Sequence, residues 1–266
     1  MAKESIIDDS RPNAGRMYDY SLGGSHNFEV DRQATEQVLK LIPFASKYAR
    51  LQRWALQDIA VELTEKRGYD LIIDFASGLP TNDHIHQIAP AGTTVIYSDH
   101  DPVIVEYARE ILKDTPNVYF FEAKVGEPEA LLNRPEVQEI LAGRRKVGFV
   151  IWGVSGFLPD EDIIHTARYL YDWAASGSCL AFNAQMADIV DTPATNQVKA
   201  IYEQMGTKTY LRPLEQFDEL LQPWQLGQDG FIPLLEWHGF DKSELAKEDV
   251  ESFGPMGGGF GGYLIK

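Results

Sequence analysis

From Gly68 onward, short and almost unbroken apolar runs alternate with longer stretches whose apolar residues recur every three or four positions. LIID, VIYS and VGFVIW are the clearest of the short runs. A strand that is apolar at successive positions must be covered on both faces, as in a parallel sheet wrapped by helices. Strands are expected at Leu71–Phe75, Thr94–Ser98, Val118–Glu122, Val147–Trp152 and Ser178–Asn183. Helices are expected between them at Asn82–Ala89, Pro102–Lys113, Pro128–Ala142 and Asp160–Ala174. Five alternations of this kind predict an α/β fold with a doubly wound, mostly parallel sheet. Helices near Thr195–Met205 and Leu214–Leu221 follow, then two late strands, Trp224–Gly227 and Tyr263–Ile265, as an antiparallel hairpin at the sheet edge.

Upstream of the sheet the texture differs. Residues 1–28 are polar and glycine-containing and read as irregular. Glu29–Arg67 is helical in pattern with an interruption at Pro43, and Tyr48, Leu51, Ala55, Ile59 and Leu63 share one face. The chain therefore divides into an N-terminal lid and helical extension, 1–67, and a sheet domain, 68–266, with an acceptor-side insertion at about 188–235.

Composition narrows the function. Forty acidic residues against 24 basic ones give a net charge of −16, which disfavours a phosphate-neutralising nucleic-acid surface. The single cysteine, Cys179, excludes an internal disulfide and a cysteine-cluster metal site. No run reaches the roughly 20 apolar residues of a membrane span, and MAKESIIDDSRPN has no signal-peptide core. A cytoplasmic protein is expected, with a small-molecule partner, neither nucleic acid nor membrane, and at most a second copy of itself in a homodimer.

The most informative segment is LIIDFASGLPT, residues 71–81. A buried strand ends at Asp74 and enters a loop of small residues, Ala76, Ser77 and Gly78, at the strand end where open α/β sheets bind ligands. Asp99, 25 positions on, ends the second strand in VIYSDHDP and is suited to both hydroxyls of a ribose. The first loop lacks a full G-x-G-x-x-G, so the ligand expected carries a ribose but no phosphate to cradle, as S-adenosylmethionine does. Gly257, Gly259 and Gly262 do match that pattern, but no helix can follow them, so they read as a flexible loop before the last strand. His84 and His86 near Asp99 and Asp101 could suggest a metal, but positions i and i+2 of a helix point apart, and no metal is expected.

The segments RMYDYSLGGSHNFEVDR (16–32), IIDFASGLPT (72–81), VIYSDHDPVIVEYAR (95–109) and FLPDED (157–162) resemble the S-adenosyl methyltransferase family with an N-terminal YDYxLGGxxNFxxDR box. The resemblance runs from about Asn13 to the end and weakens after Asp188. It implies a Rossmann-like class I methyltransferase with a seven-stranded sheet, a helical N-terminal extension and S-adenosyl-L-methionine as cofactor. Asp74, Ala76, Ser77, Gly78 and Thr81 would line the methionine and ribose side, and Asp99, His100 and Asp101 the ribose. Lys124–Val125 and Trp152–Gly153, at the next two strand ends, would complete the cofactor wall. The box, with Tyr18, Asp19, Tyr20, Gly23, Gly24, Asn27 and Phe28, would fold over the site.

Two positions depart from the family. Lys124 stands where the last acid of a DAD reads the adenine amino group, and lysine can only donate. Gly156 stands where the family often carries His before the FxPD segment. Acceptor-side candidates are Tyr20, Asn27, Ser155, Phe157, Asn183, Gln185, Tyr210 and Arg212, and His26 is the first candidate for a general base. The reaction expected is in-line methyl transfer to an oxygen or nitrogen of a small molecule. A non-catalytic cofactor-binding or sensor protein is the alternative, and an NAD-dependent oxidoreductase a weaker one.

Overall fold

The computed structural model describes residues 10–81, 83–189, 191–237, 247 and 259–266. Among the described residues three helices precede the sheet: α1 (Ala14–Ser21), α2 (Glu29–Leu41) and α3 (Ala45–Val61), the last running into a π-helical turn at Glu62–Lys66. Then come β1 (Leu71–Phe75), α4 (Ile85–Ile88), β2 (Thr94–Asp99), α5 (Pro102–Leu112) and β3 (Val118–Glu122). They are followed by α6 (Pro128–Leu132), α7 (Pro135–Leu141), β4 (Gly148–Ile151), α8 (Asp160–Trp173) and β5 (Cys179–Ala184). The chain continues through α9 (Pro193–Gln204), α10 (Gln216–Leu220), β6 (Gln225–Leu226), β7 (Ile232–Pro233), α11 (Leu234–Trp237) and β8 (Phe260–Ile265).

The spatial order is β3-β2-β1-β4-β5-β8-β6, with β7 also pairing β8. The first five strands are parallel, and β8 runs antiparallel beside β5 through all six of its residues. The alternation of side chains across a strand assigns the apolar runs to two cores. Leu71, Ile73, Phe75, Phe149 and Phe182 pack on one face, and Ile72, Val95, Tyr97, Val150 and Ala181 on the other, against α3 and α5 residues such as Ile59 and Ile104. Strand order reverses between β1 and β4, which opens a crevice at their carboxyl ends.

Several elements differ from expectation for local reasons. Residues 1–28 are not all irregular: α1 forms because the Asn13 side chain accepts from the backbone N–H groups of Gly15 and Arg16 at 2.7 and 3.2 Å. Pro135 has no N–H to give, so the helix expected over 128–142 splits into α6 and α7. The helix expected over 82–89 shrinks to the single turn α4, started by His84, whose ring accepts from the Ile85 N–H at 3.0 Å; Asn82 lies outside the described residues.

The late strands do pair antiparallel, Gln225 with Ile265 and Leu226 with Leu264, but they are no edge hairpin. β8 lies inside the sheet, and β6 and β7 share its outer edge, so eight strands fill seven places. Two of the late glycines belong to this strand rather than to a loop. A Cβ on Gly261 would sit 2.5 Å from the Trp152 ring and 2.9 Å from that of Trp237, so the glycine makes room for two tryptophans packed at a tilt. Gly257 lies outside the described residues. No described helix is long and apolar enough to cross a membrane.

Candidate functional site

The N-terminal box folds into a clamp built on two buried acids. Asp31 accepts from the backbone N–H groups of Asn13 and Phe28, both at 2.8 Å, and from Arg16 Nε at 2.9 Å. Arg16 also reaches Asp101 at 3.4 Å. Asp101 in turn caps α5 by accepting from the Val103 N–H at 2.7 Å. Asp19 accepts from the His26 N–H and from Asn27 Nδ2 at 2.8 and 2.9 Å. Charged acceptors holding several buried donors make strong hydrogen bonds. They dock α1 against the carboxyl end of β2.

Beneath α1, the loop after β1 turns sharply. Ala76 adopts φ +53° and Gly78 φ +64°, and a Cβ placed on Gly78 would meet nothing within 4 Å. An alanine in the left-handed region costs free energy and marks a constrained turn. Ser77 holds the turn to β2 by donating its N–H to the Ser98 carbonyl at 2.9 Å. Asp99 accepts from the Gly78 N–H at 3.1 Å with one oxygen and from the Asp101 N–H at 3.0 Å with the other. A carboxylate offers about four lone-pair sites, so each oxygen keeps one for a ligand hydroxyl. Burial raises the Asp99 pKa, against the pull of His100 and of the two backbone N–H groups.

A cavity of about 620 Å³ opens from this point, within the usual size of a small-molecule site. Of the expected cofactor residues, Tyr18, Ala76, Ser77, Gly78, Asp99 and His100 line it. So do Lys124, Val125, Trp152 and Gly153 at the tips of the next two strands. Asp74 is one layer below, 2% exposed and off the wall, and burial raises its pKa well above the carboxylate range. Asp101 is consumed as a helix cap, Gly23 sits exposed in the turn after α1, and Thr81 lies outside the wall.

Fewer of the residues expected on the acceptor side reach the cavity. Phe157 and Gln185 line the cavity, but the other expected residues have structural partners elsewhere. Ser155 donates to the Asn183 carbonyl at 2.7 Å, and Asn183 donates to the Phe260 carbonyl at 2.7 Å, which ties β4, β5 and β8 together. Arg212 pairs with Asp160 at 2.7 Å and donates to the carbonyls of Ser155 and Leu158, while Tyr210 stacks on its guanidinium. Tyr20 donates to Glu36 at the surface, and Asn27 serves the Asp19 clamp. His26 is off the wall as well, with its ring edge-on to Tyr107 at 5.2 Å.

His84 and His86 do not point apart, because His84 caps α4 rather than lying within it. Both Nδ1 atoms lie 3.0 Å from the Tyr97 hydroxyl. Burial holds the His84 pKa well below its ordinary value. Among the described residues no group of three or more His, Cys, Asp or Glu side chains could hold a metal. Cys179 is buried in β5, and burial pushes its thiol up to about 12.

Several wall residues carry no local signal in the sequence. Tyr48 and Arg53 reach the cavity from α3, Tyr202 from α9 and Asp162 from the first turn of α8. Arg53 is 5% exposed, and its Nε and Nη1 find no acceptor. Asp162 packs against Gly126 beside Lys124, whose own ammonium turns outward to Glu127 at 3.1 Å. Met186 occupies the space a side chain at position 156 would need, since a Cβ on Gly156 would lie 2.7 Å from its sulfur. Burial pushes the Tyr202 hydroxyl up to about 12 and raises that of Tyr48, so both are neutral donors at pH 7.

Comparison with solved structures bears on this geometry. A candidate methyltransferase from Thermobifida fusca YX superposes with a TM-score of 0.84 at 26% identity, over 97% of this chain and 96% of that one. A DUF574 family protein from Streptomyces avermitilis MA-4680 gives 0.81 at 24% identity, over 97% and 99%. No curated protein matches significantly. Residues 1–259 match the sequence profile of a family described as S-adenosyl methyltransferase. The chain therefore belongs to the S-adenosyl methyltransferase family, with the Rossmann-like fold of a methyltransferase and S-adenosyl-L-methionine as its cofactor.

Proposed function

We propose that this methyltransferase acts on an oxygen or nitrogen of a small, largely apolar acceptor bound between α1, α2, α3 and α9. One observation carries the reading. The cavity that begins at Gly78 and Asp99 continues without a break into a chamber walled by Met17, Val38, Phe44, Met186 and Tyr202. A concave, apolar site with few polar groups suits a small molecule better than a polymer.

The residues at the strand tips fit the cofactor. Gly78 leaves open space, Asp99 keeps two lone pairs for ribose hydroxyls, and Arg53 on α3 beside them carries buried donors without acceptors. Val125 and Ala123 offer an apolar surface for the adenine. Asp162 supplies the hydrogen-bond acceptor that Lys124 lacks. When bound, S-adenosyl-L-methionine supplies a methyl group activated by a cationic sulfur.

The protein's own part is alignment and exclusion of water. Trp152 donates its indole N–H to the Gln52 carbonyl at 3.1 Å, which fixes one wall. α1 and α9 close the chamber, α9 through Val198, Ile201 and Tyr202 packed near Met17 and Val38. Fixing a reacting pair in line is worth about 7–11 kcal/mol of barrier. Neutral tyrosines at Tyr48 and Tyr202 can orient an acceptor heteroatom by donating to it.

The test is transfer of isotopically labelled methyl from S-adenosyl-L-methionine to a panel of neutral aromatic and aliphatic acceptors, read by mass spectrometry beside charged ones. Preference for the neutral members is expected. Transfer only to charged, polar or polymeric acceptors would overturn the acceptor class.

A further inference from the structure

Three arginines among the described residues are buried, and they differ in what they meet. Arg16 is matched by Asp31, Asp101 and the Arg11 carbonyl. Arg212 is matched by Asp160 and the carbonyls of Ser155 and Leu158. Arg53 is 5% exposed, yet its Nε and Nη1 hydrogens have no acceptor among the described residues. Its guanidinium lies over the Tyr18 ring at 5.5 Å; the Tyr18 hydroxyl and the buried Asp74 carboxyl both feel its charge, but no carboxylate forms an ion pair with it within 4 Å among the described residues. A buried charge with unsatisfied donors is costly, and folds rarely keep one without a reason.

The surroundings indicate what it waits for. Arg53 lines the cavity, as do Tyr18 above it and Ala76 and Ser77 of the loop after β1. The preceding residue, Gln52, is fastened to the tips of β4 and β5: its carbonyl accepts from the Trp152 indole, and its amide donates to Asn183 at 3.1 Å. α3 is thereby held against the carboxyl ends of β4 and β5. The other lysines and arginines on the wall are unlike Arg53. Lys124 is exposed and paired with Glu127, while Lys199 and Lys208 belong to the α9 side. Arg53 is the buried cation at the cofactor end of the described wall.

We propose that Arg53 is the carboxylate anchor of this site, its planar guanidinium taking the carboxylate of the amino-acid tail of S-adenosyl-L-methionine. The assignment rests on the cofactor reading above. Guanidinium and carboxylate match as two parallel hydrogen bonds, which an ammonium cannot reproduce. A carboxylate on the acceptor molecule would be the other source of the same chemistry, and the two are separable in the absence of any acceptor.

The experiment is calorimetric titration of the full chain, without acceptor, by S-adenosylhomocysteine and by 5′-methylthioadenosine, which keeps the adenosine and sulfur but lacks the amino-acid tail. Arg53→Gln should weaken S-adenosylhomocysteine on the order of 10- to 100-fold. It should leave methylthioadenosine within about twofold of wild type, since that ligand never meets the guanidinium. Methylthioadenosine binding by the variant also reports that its pocket is formed. Arg53→Lys keeps charge and stem and serves should the glutamine variant fold poorly; it should lose part of the S-adenosylhomocysteine affinity and none of the other. Equal losses for both ligands, or no loss for either, would overturn the anchor while the cofactor reading stands. Wild-type protein that binds neither ligand would remove both.

Discussion

Replacing Asp99 by alanine removes one carboxylate that has two jobs. It accepts from the backbone N–H groups of Gly78 and Asp101 at 3.1 and 3.0 Å, which sets the distance between the β1 loop and the tip of β2. Its remaining lone pair on each oxygen faces a cavity in which the residue is only 7% exposed. Two charge-assisted hydrogen bonds to ribose hydroxyls, discounted for the water they displace, are worth about 2–4 kcal/mol. That is about 30- to 900-fold in dissociation constant. The unliganded protein should also lose about 1–3 kcal/mol of stability, because two partly buried N–H groups are left without an acceptor.

The assay is calorimetry with S-adenosylhomocysteine and with its 2′,3′-dideoxy analogue against both proteins, as a double-mutant cycle. The variant should bind the natural ligand 30- to 900-fold more weakly and lose much less with the analogue, whose sugar has nothing to donate. An unchanged dissociation constant, or equal losses for the two ligands, would refute the placement of the ribose.

Asp74→Asn should raise thermal stability, and the gain should grow with pH. Burial raises the folded-state pKa of Asp74 well above 3.8, so its favourable contribution is present at acid pH and is lost as pH rises through the folded value. Melting curves from pH 4 to 8 check this, and a gain that shrinks with pH would contradict it. His26→Ala should leave cofactor affinity and methyl transfer within about twofold, since the ring packs on Tyr107 off the cavity wall; a tenfold fall in turnover with unchanged binding would restore the histidine as a base. Arg212→Ala should cost about 2–4 kcal/mol in urea unfolding, because it strands two carbonyls and the half-exposed Asp160, and a loss below about 0.5 kcal/mol would refute it.

The part of the cavity wall at the strand tips was more legible in the sequence than the rest of it. Ala76, Gly78 and Asp99 lie at the ends of strands whose apolar runs mark them, so finding the strand finds the residue. Ser155 and Asn183 also lie at strand ends, but their side chains hydrogen-bond to neighbouring strands. Lys124 and Gly156 are departures from the family when read singly. In space Asp162, from another helix, comes up beside Lys124, and Met186 fills the room that Gly156 leaves.

What the amino-acid order determines by itself is what depends on near neighbours: the five parallel strands, the stops at prolines, the caps at Asn13 and Asp101, and the acid that ends β2. These follow from periodicity and from hydrogen bonds reaching only two or three residues along the chain. Tertiary structure alone decided that β8 would enter the sheet beside β5, that His84 and His86 would share Tyr97, and that Arg53 would keep two donor nitrogens unmatched at the mouth of β1. Each of those joins residues more than ten positions apart, or leaves a group without a partner because of how distant elements pack. No local pattern encodes which of several buried charges the finished fold will leave with unmatched donors.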